Sequence, residues 1–440
     1  MDKNELIAIL FDWNFWRQQV DTGIPRPEYI EYFRYLAGSK QVLTITGPRR
    51  AGKTWSMRQM LVDAMNSGIN RENLLFVNFE DPRFPSLDLK LMDQTYSVYQ
   101  EFLRPQGEIT LFLDEVQEVP GWEKWVRKTH ELRQARLVIS GSNARMLSRE
   151  LGTLLTGRHI DLQVFPLSFR EFLEFNGFKK VDPLDQIAHA TEIKGWLRQY
   201  IEFGSFPEVA LSRQKKEILL GYFDDLITRD LLKRYKIRKA EELKALIKFY
   251  LSNAGNLITF SSAAKFLNLT VSTIDRFSGY LQDVYLVFFL KRFSFKVKEQ
   301  EKSPRKVYAI DTGLCNTIGF RFSENSGRLA ENVVFLALLR RQARQPDMEL
   351  YYWKDMQHRE VDFLIKQGME VSELIQVCWD VSDTKTRTRE IRGLLKAMHE
   401  LKLSEAIIIT DEHSAVETLE GRTINYIPLY KWLLNDGGQI

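Results

Sequence analysis

Cysteine is nearly absent: Cys315 and Cys378 are the only two in 440 residues, far apart and without metal-ligand spacing. That excludes a disulfide framework and argues against a zinc site, and it points to a reducing compartment. Long apolar runs are also lacking. The stretch Leu6–Trp16 is interrupted by Asp12 and Asn14 and followed by Arg17, and no run approaches the length that spans a bilayer. No basic segment followed by an apolar one opens the chain, so the expected location is cytoplasmic. Nor does one sign of charge dominate. The 62 Lys and Arg against 58 Asp and Glu leave +4, a mild basic excess that permits nucleic acid without demanding it. What remains is ordinary globular material, 44% hydrophobic and 27% charged, long enough for about three domains.

Against that background one segment stands out. Gly47-Pro48-Arg49-Arg50-Ala51-Gly52-Lys53-Thr54 is a complete G-x-x-x-x-G-K-[ST] phosphate-binding loop. Its glycines let backbone N–H groups wrap the phosphates, Lys53 brings a point charge to the β and γ phosphates, and the Thr54 hydroxyl is a ligand for Mg²⁺. The flanks suit it. Residues 41–46 (QVLTIT) read as a buried strand. Met57, Met60, Leu61, Ala64 and Met65 fall on one face of a helix that would start at Lys53-Thr54, followed by Trp55, and point its positive end at the phosphates. The expected ligands are ATP and Mg²⁺.

From the start to about residue 165, short apolar strands alternate with helical patterns, the sign of a parallel α/β sheet. Further strands are expected at 74–79, 109–113, 137–140 and 160–164. Thr110-Leu111-Phe112-Leu113-Asp114-Glu115 ends in two adjacent carboxylates. Asp114 is placed to hold Mg²⁺ and Glu115 to orient and deprotonate the attacking water, the division of labour that phosphoryl transfer requires. The next strand ends Ser140-Gly141-Ser142-Asn143, where Ser142 or Asn143 would meet the γ-phosphate or the lytic water, or simply build a turn. Asn78-Phe79-Glu80-Asp81 ends the second strand, and its acids would either tune the site or cap the loop. Trp13, Trp16, Tyr29 and Phe33 are core aromatics or neighbours of the adenine.

Several motifs together resemble one prokaryotic family, the AAA-type ATPases that carry an uncharacterised C-terminal domain. They are Asp114-Glu115-Val116-Gln117, the Ser-Gly-Ser-Asn stretch, Leu155-Thr156-Gly157-Arg158, Phe165-Pro166-Leu167-Ser168-Phe169-Arg170-Glu171-Phe172-Leu173 and Gly204-Ser205-Phe206-Pro207-Glu208-Val209. The resemblance covers nearly the whole chain. It implies that Arg158 is an arginine finger reaching a nucleotide on a neighbouring subunit of a homo-oligomer, where a guanidinium stabilises charge on the γ-phosphoryl oxygens.

The expected organisation is an α/β P-loop core of AAA type over 1–168, a helical lid over 169–236, a winged helix over 237–320 and a restriction-endonuclease-like α/β domain over 321–440. In the winged helix, Thr270-Val271-Ser272-Thr273 would cap the recognition helix. Lys291, Arg292, Lys296, Lys298, Lys302, Arg305 and Lys306 would make a basic wing, suited to duplex DNA or to a protein partner. In the last domain Glu331 and Asp362 match the acids of such nucleases, but Gln376 and Cys378 stand where a metal-binding acid and a lysine belong. The expected scaffold has therefore lost its chemistry. The leading expectation is Mg²⁺-dependent ATP hydrolysis driving the C-terminal domains. The alternatives are an ATP-regulated DNA nuclease and a nucleotide-sensing scaffold with negligible turnover.

Overall fold

A computed structural model of the chain describes residues 1–36, 38–142, 157–178, 182–320 and 326–435. The chain forms two compact units, Met1–Phe165 and Pro166–Ile440. Asn143, Leu155 and Thr156 lie outside the described residues.

The first unit is built on strands β1 (Val42–Thr46), β2 (Leu74–Asn78), β3 (Thr110–Asp114), β4 (Arg136–Gly141) and β5 (His159–Gln163), all parallel, in the order β2-β3-β4-β1-β5. Burial is nearly continuous through β1 to β4 because the sheet is covered on both faces. Alternation then assigns each side chain. Leu111 and Leu113 of β3 and Leu137 and Ile139 of β4 pack with helices α1 (Lys3–Trp13), α4 (Leu89–Leu103) and α5 (Trp122–Glu131). Phe112 and Val138 point the other way, to α2 (Pro27–Tyr35) and α3 (Lys53–Asn66). The expected helical face holds: Met57, Met60, Leu61 and Ala64 are buried and Met65 packs beside them. Loop, acid pair and the Ser-Gly-Ser stretch all leave the carboxyl ends of β1, β3 and β4, so one crevice receives them.

The second unit begins with helices, among them Phe169–Phe175, Ala190–Phe203 and Lys215–Asp225, the last continuing into a π-helical stretch Leu226–Lys233. Three further helices, Ala240–Ser252, Phe260–Leu267 and Val271–Asp283, accompany a small antiparallel sheet of β6 (Leu257–Ile258), β7 (Val287–Leu290) and β8 (Arg305–Ala309), ordered β6-β8-β7. Thr270 does cap the third of these helices, accepting from the Thr273 N–H. After the helix Ser326–Arg344 comes a mixed six-stranded sheet, ordered β13-β14-β12-β11-β10-β9. Its strands are β9 (Met348–Lys354), β10 (Glu360–Gln367), β11 (Glu370–Val377), β12 (Glu405–Thr410), β13 (Ala415–Leu419) and β14 (Arg422–Pro428). Among the described residues, no helix is long and apolar enough to cross a membrane.

Candidate active site

The phosphate loop is shaped by close contacts that only particular residues allow. A Cβ added at Gly47 would sit 2.1 Å from the Val164 carbonyl oxygen, so glycine is needed for the loop to leave β1 beside the end of β5. Arg50 (φ 69°) and Gly52 (φ 97°) adopt left-handed backbone that turns the chain into α3. Among the described residues no side chain caps that helix, and its first N–H groups suit a ligand. The buried Lys53 folds back into the loop, its Nζ donating to the carbonyls of Gly47 and Pro48 at 3.2 Å each and lying 3.5 Å from Glu115.

The acid pair meets the loop directly. Thr54 Oγ1 donates to Asp114 Oδ2 at 2.7 Å, and the Ser140 hydroxyl donates to the other oxygen, Oδ1. Ser140 also accepts the Glu115 N–H at 3.0 Å, so one β4 hydroxyl braces both acids. Burial and the neighbouring Glu115 push Asp114 up to about 6, against the Ser140 and Thr54 hydrogen bonds and the Lys53 charge. Glu115 occupies left-handed backbone (φ 52°) and begins a short 3₁₀ turn, with Gln117 Nε2 2.6 Å from its Oε2. A hydroxyl and a carboxylate side by side form an oxygen donor set, which suits a hard cation such as Mg²⁺. Uncapped N–H groups and a buried ammonium suit a polyphosphate. Further along the crevice, Ser142 Oγ is buried without a hydrogen-bond partner among the described residues.

The other expected residues divide. Arg49 reaches Glu80 at 2.5 Å. Asp81 instead binds Arg83 and the Trp13 indole N–H, and the Arg83 hydrogen bond leads in holding it down at about 2. Trp16, Tyr29 and Phe33 are buried core. Trp55 is half-exposed, with the Arg58 guanidinium 5.1 Å from its ring and 5.2 Å from that of Trp13. Arg158 just precedes β5, at the amino edge of the parallel sheet, where it pairs with Glu131 at 2.8 Å. It is a strand length, about 17 Å, from the carboxyl edge that carries Asp114, and so is out of reach of its own unit's site.

Sequence patterns gave no hint of what braces the loop. Arg26, buried, donates to the Ala51 carbonyl at 2.9 Å and the Phe165 carbonyl at 3.0 Å, with its guanidinium 4.5 Å from the Tyr29 ring. Gln59 of α3 accepts the Arg26 N–H and donates to the carbonyls of Thr22 and Ile24. Together they strap residues 22–26 along α3.

The second unit corrects one expectation. Lys306 is not part of a solvated wing. It is buried at 2% exposure, with its Nζ 2.6 Å from Asp362, 2.9 Å from Glu331 and 2.9 Å from Glu360. Burial alone would lower this ammonium, but Asp362 and Glu331 raise it well above its ordinary value. Burial and Asp362 push Glu331 up to about 7. Gln376 accepts the Asp362 N–H and donates to Glu390, and burial raises the Cys378 thiol to about 11. The other cations of the wing outnumber Glu299 and Glu301, the acids among them. Lys291 and Arg305 pair with Glu301, Lys296 pairs with Glu299, and Arg292 donates to the Lys354 carbonyl. Among the described residues, no group of three or more His, Cys, Asp or Glu is arranged to hold a metal ion.

The family motifs around 165–173 and 204–209 hold structure. Ser168 and Glu171 form a capping box, and Arg340 donates to the carbonyls of Pro166 and Leu167. A Cβ at Gly204 would lie 2.0 Å from Asp311.

Residues 39–173 match the AAA domain family, and residues 194–325 and 326–432 match two domains of unknown function, DUF8612 and DUF4143. An uncharacterized protein of Methanocaldococcus jannaschii is 34% identical over 90% of this chain and 88% of its own length. One from Haemophilus influenzae is 28% identical over 93% and 98%. The chain belongs to this prokaryotic family, in which a P-loop AAA ATPase domain precedes two domains of unknown function. Among solved structures, the S. cerevisiae Hsp104-ADP complex matches at 15% identity and a TM-score of 0.32, over 64% of this chain and 40% of that one. AMPPCP-bound DnaA from Aquifex aeolicus matches at 14% and 0.25, over 58% and 86%. Likenesses this slight carry no argument about the site.

Proposed function

We propose that the protein binds ATP with Mg²⁺ at the crevice above β1, β3 and β4 and hydrolyses it to ADP and phosphate, using the free energy to change the conformation of its C-terminal domains. The observation that carries this reading is the contact of Thr54 with Asp114 beside the loop-embedded Lys53. Lys53 would grip the β and γ phosphates, while Thr54 and Asp114 would hold the metal. Bound Mg²⁺ would neutralise charge developing on the phosphates. Glu115, braced by Ser140 and Gln117, would take the proton from the attacking water. Ser142, whose hydroxyl has no hydrogen-bond partner among the described residues, or Asn143 would hydrogen-bond that water or the γ-phosphate. Arg158, remote from its own site, would act on a neighbouring subunit in an oligomer. The reading is tested by comparing ATP turnover of the intact chain and Lys53→Ala. Equal rates would refute it.

The element order of residues 240–309 supports a winged helix, and that of 326–428 a restriction-endonuclease-like domain. The basic residues from Lys291 to Arg305, which outnumber Glu299 and Glu301, suit duplex DNA or a protein partner. One observation favours a second reading, an ATP-regulated nuclease: Lys306 of β8 lies 2.6 Å from Asp362 and would supply the lysine that β11 lacks. Plasmid cleavage with Mg²⁺ or Mn²⁺, abolished by Asp362→Ala, would establish it. Against it, the ammonium already occupies the place between the carboxylates that a metal would take.

A further inference from the structure

We propose that Arg49 and Glu80 form a latch that reads the γ-phosphate, Arg49 exchanging the Glu80 carboxylate for the terminal phosphate of ATP and returning to it when ADP is bound. The inference rests on the nucleotide reading above and assigns to two of its residues the discrimination between ATP and ADP.

The geometry is specific. Arg49 is the third residue of the phosphate loop, four before Lys53. Its guanidinium lies 2.5 Å from Glu80 Oε1, with the two side chains 18% and 33% exposed, so water screens the pair only in part. Glu80 is held in place, since its N–H donates to Asn78 Oδ1 at 2.8 Å just past the end of β2. In the sheet, β4 and β3 separate β1 from β2. The pair therefore joins elements three strand spacings apart, about 14 Å, along the carboxyl edge where β3 presents Asp114. In register, Asn78 stands opposite Asp114. The latch thus runs along the crevice in which the metal-holding acid sits.

Chemistry supplies the direction. A γ-phosphate gripped by Lys53 from the same loop offers a guanidinium three oxygens and more negative charge than one carboxylate, in the planar geometry that arginine prefers. ADP has no such group, so with ADP the Glu80 carboxylate keeps its partner. A purely structural ion pair would weaken both nucleotides alike when broken. A latch changes their ratio.

The test measures affinities of the full chain for AMPPCP and ADP, each with Mg²⁺, by displacement of a fluorescent ADP analogue. Arg49→Ala is expected to weaken AMPPCP about tenfold, the weight of one charge-assisted hydrogen bond, and to leave ADP unchanged. Glu80→Gln removes the competitor and is expected to tighten AMPPCP about threefold, again with ADP unchanged. Equal losses for both nucleotides in Arg49→Ala, or an unaltered ratio in Glu80→Gln, would overturn the latch and leave nucleotide binding standing. If the intact chain binds neither nucleotide, the reading of the site fails, and the latch with it. Should Arg49→Ala not fold, Glu80→Gln decides alone, because it keeps the side-chain volume and the backbone N–H bond to Asn78.

Discussion

The Lys306 ammonium lies 2.6 Å from the Asp362 carboxylate, both buried, with Glu331 and Glu360 completing the shell. Removing one member of a buried charge cluster leaves the others uncompensated, a cost of about 3–5 kcal/mol. Lys306→Met is therefore expected to lower the melting temperature sharply. Adding Glu331→Gln and Asp362→Asn to it should recover much of the loss, because the orphaned charges go with the lysine. A Lys306→Met protein that melts with the original would show the cluster to be immaterial to stability.

That lysine also shows where the sequence stops being readable. In a run holding Lys302, Arg305 and Lys306, nothing marks one cation as buried, because the carboxylates that enclose it are 25 to 56 residues further on. The strands of the first unit were legible for the opposite reason. Their apolar runs are local, so the 74–79 expectation falls on Leu74–Asn78 and the 109–113 expectation on Thr110–Asp114. The phosphate loop and the Asp114-Glu115 pair were legible because chemistry fixes residue types at fixed spacing. Arg26 was not, since its partners, Ala51 and Phe165, offer only backbone carbonyls. Strand β13, Ala-Val-Glu-Thr-Leu on a sheet edge, is hard to read because its pattern is weak. Its one signal is the two-residue turn Glu420-Gly421, with φ of 52° and 73°, which pairs it with β14.

Glu115 is the proposed base, and its carboxylate is held by Gln117 and faces Lys53. Glu115→Gln keeps the shape and removes the basicity. ATP turnover should fall by about 10²–10⁴ while affinity for ATP, measured without turnover, stays close to that of the intact chain. A nucleotide-sensing scaffold predicts otherwise: a slow rate that the substitution leaves alone.

Arg26 ties the loop to the chain beyond β5 through two backbone carbonyls and stacks on Tyr29. Arg26→Met retains an apolar stem but leaves both buried acceptors unsatisfied. We expect a loss of about 3 kcal/mol, together with weaker nucleotide binding, since Ala51 belongs to the loop itself. Denaturation of the variant with and without ADP separates the two effects. Unchanged stability would mean that the loop holds its shape unaided.

Asp311 gives a pH dependence unconnected with the nucleotide site. It is fully buried, its carboxylate accepting the N–H groups of Ser205 at 2.6 Å and Leu314 at 3.2 Å. Burial pushes it up to about 6 from an ordinary 3.8, although those hydrogen bonds pull the other way. Because the folded value lies above the unfolded one, the folded chain retains a proton between pH 4 and 6 that the unfolded chain has released. The stabilisation is complete below about pH 4 and is lost as pH rises through 6, at most about 3 kcal/mol. Asp311→Asn cannot titrate. The stability of the intact chain minus that of Asp311→Asn should therefore decline from pH 4 to 6.5 and level off above, an outcome that denaturant titrations at matched pH would read. A difference constant across that range would mean that Asp311 keeps an ordinary affinity for its proton in the folded chain.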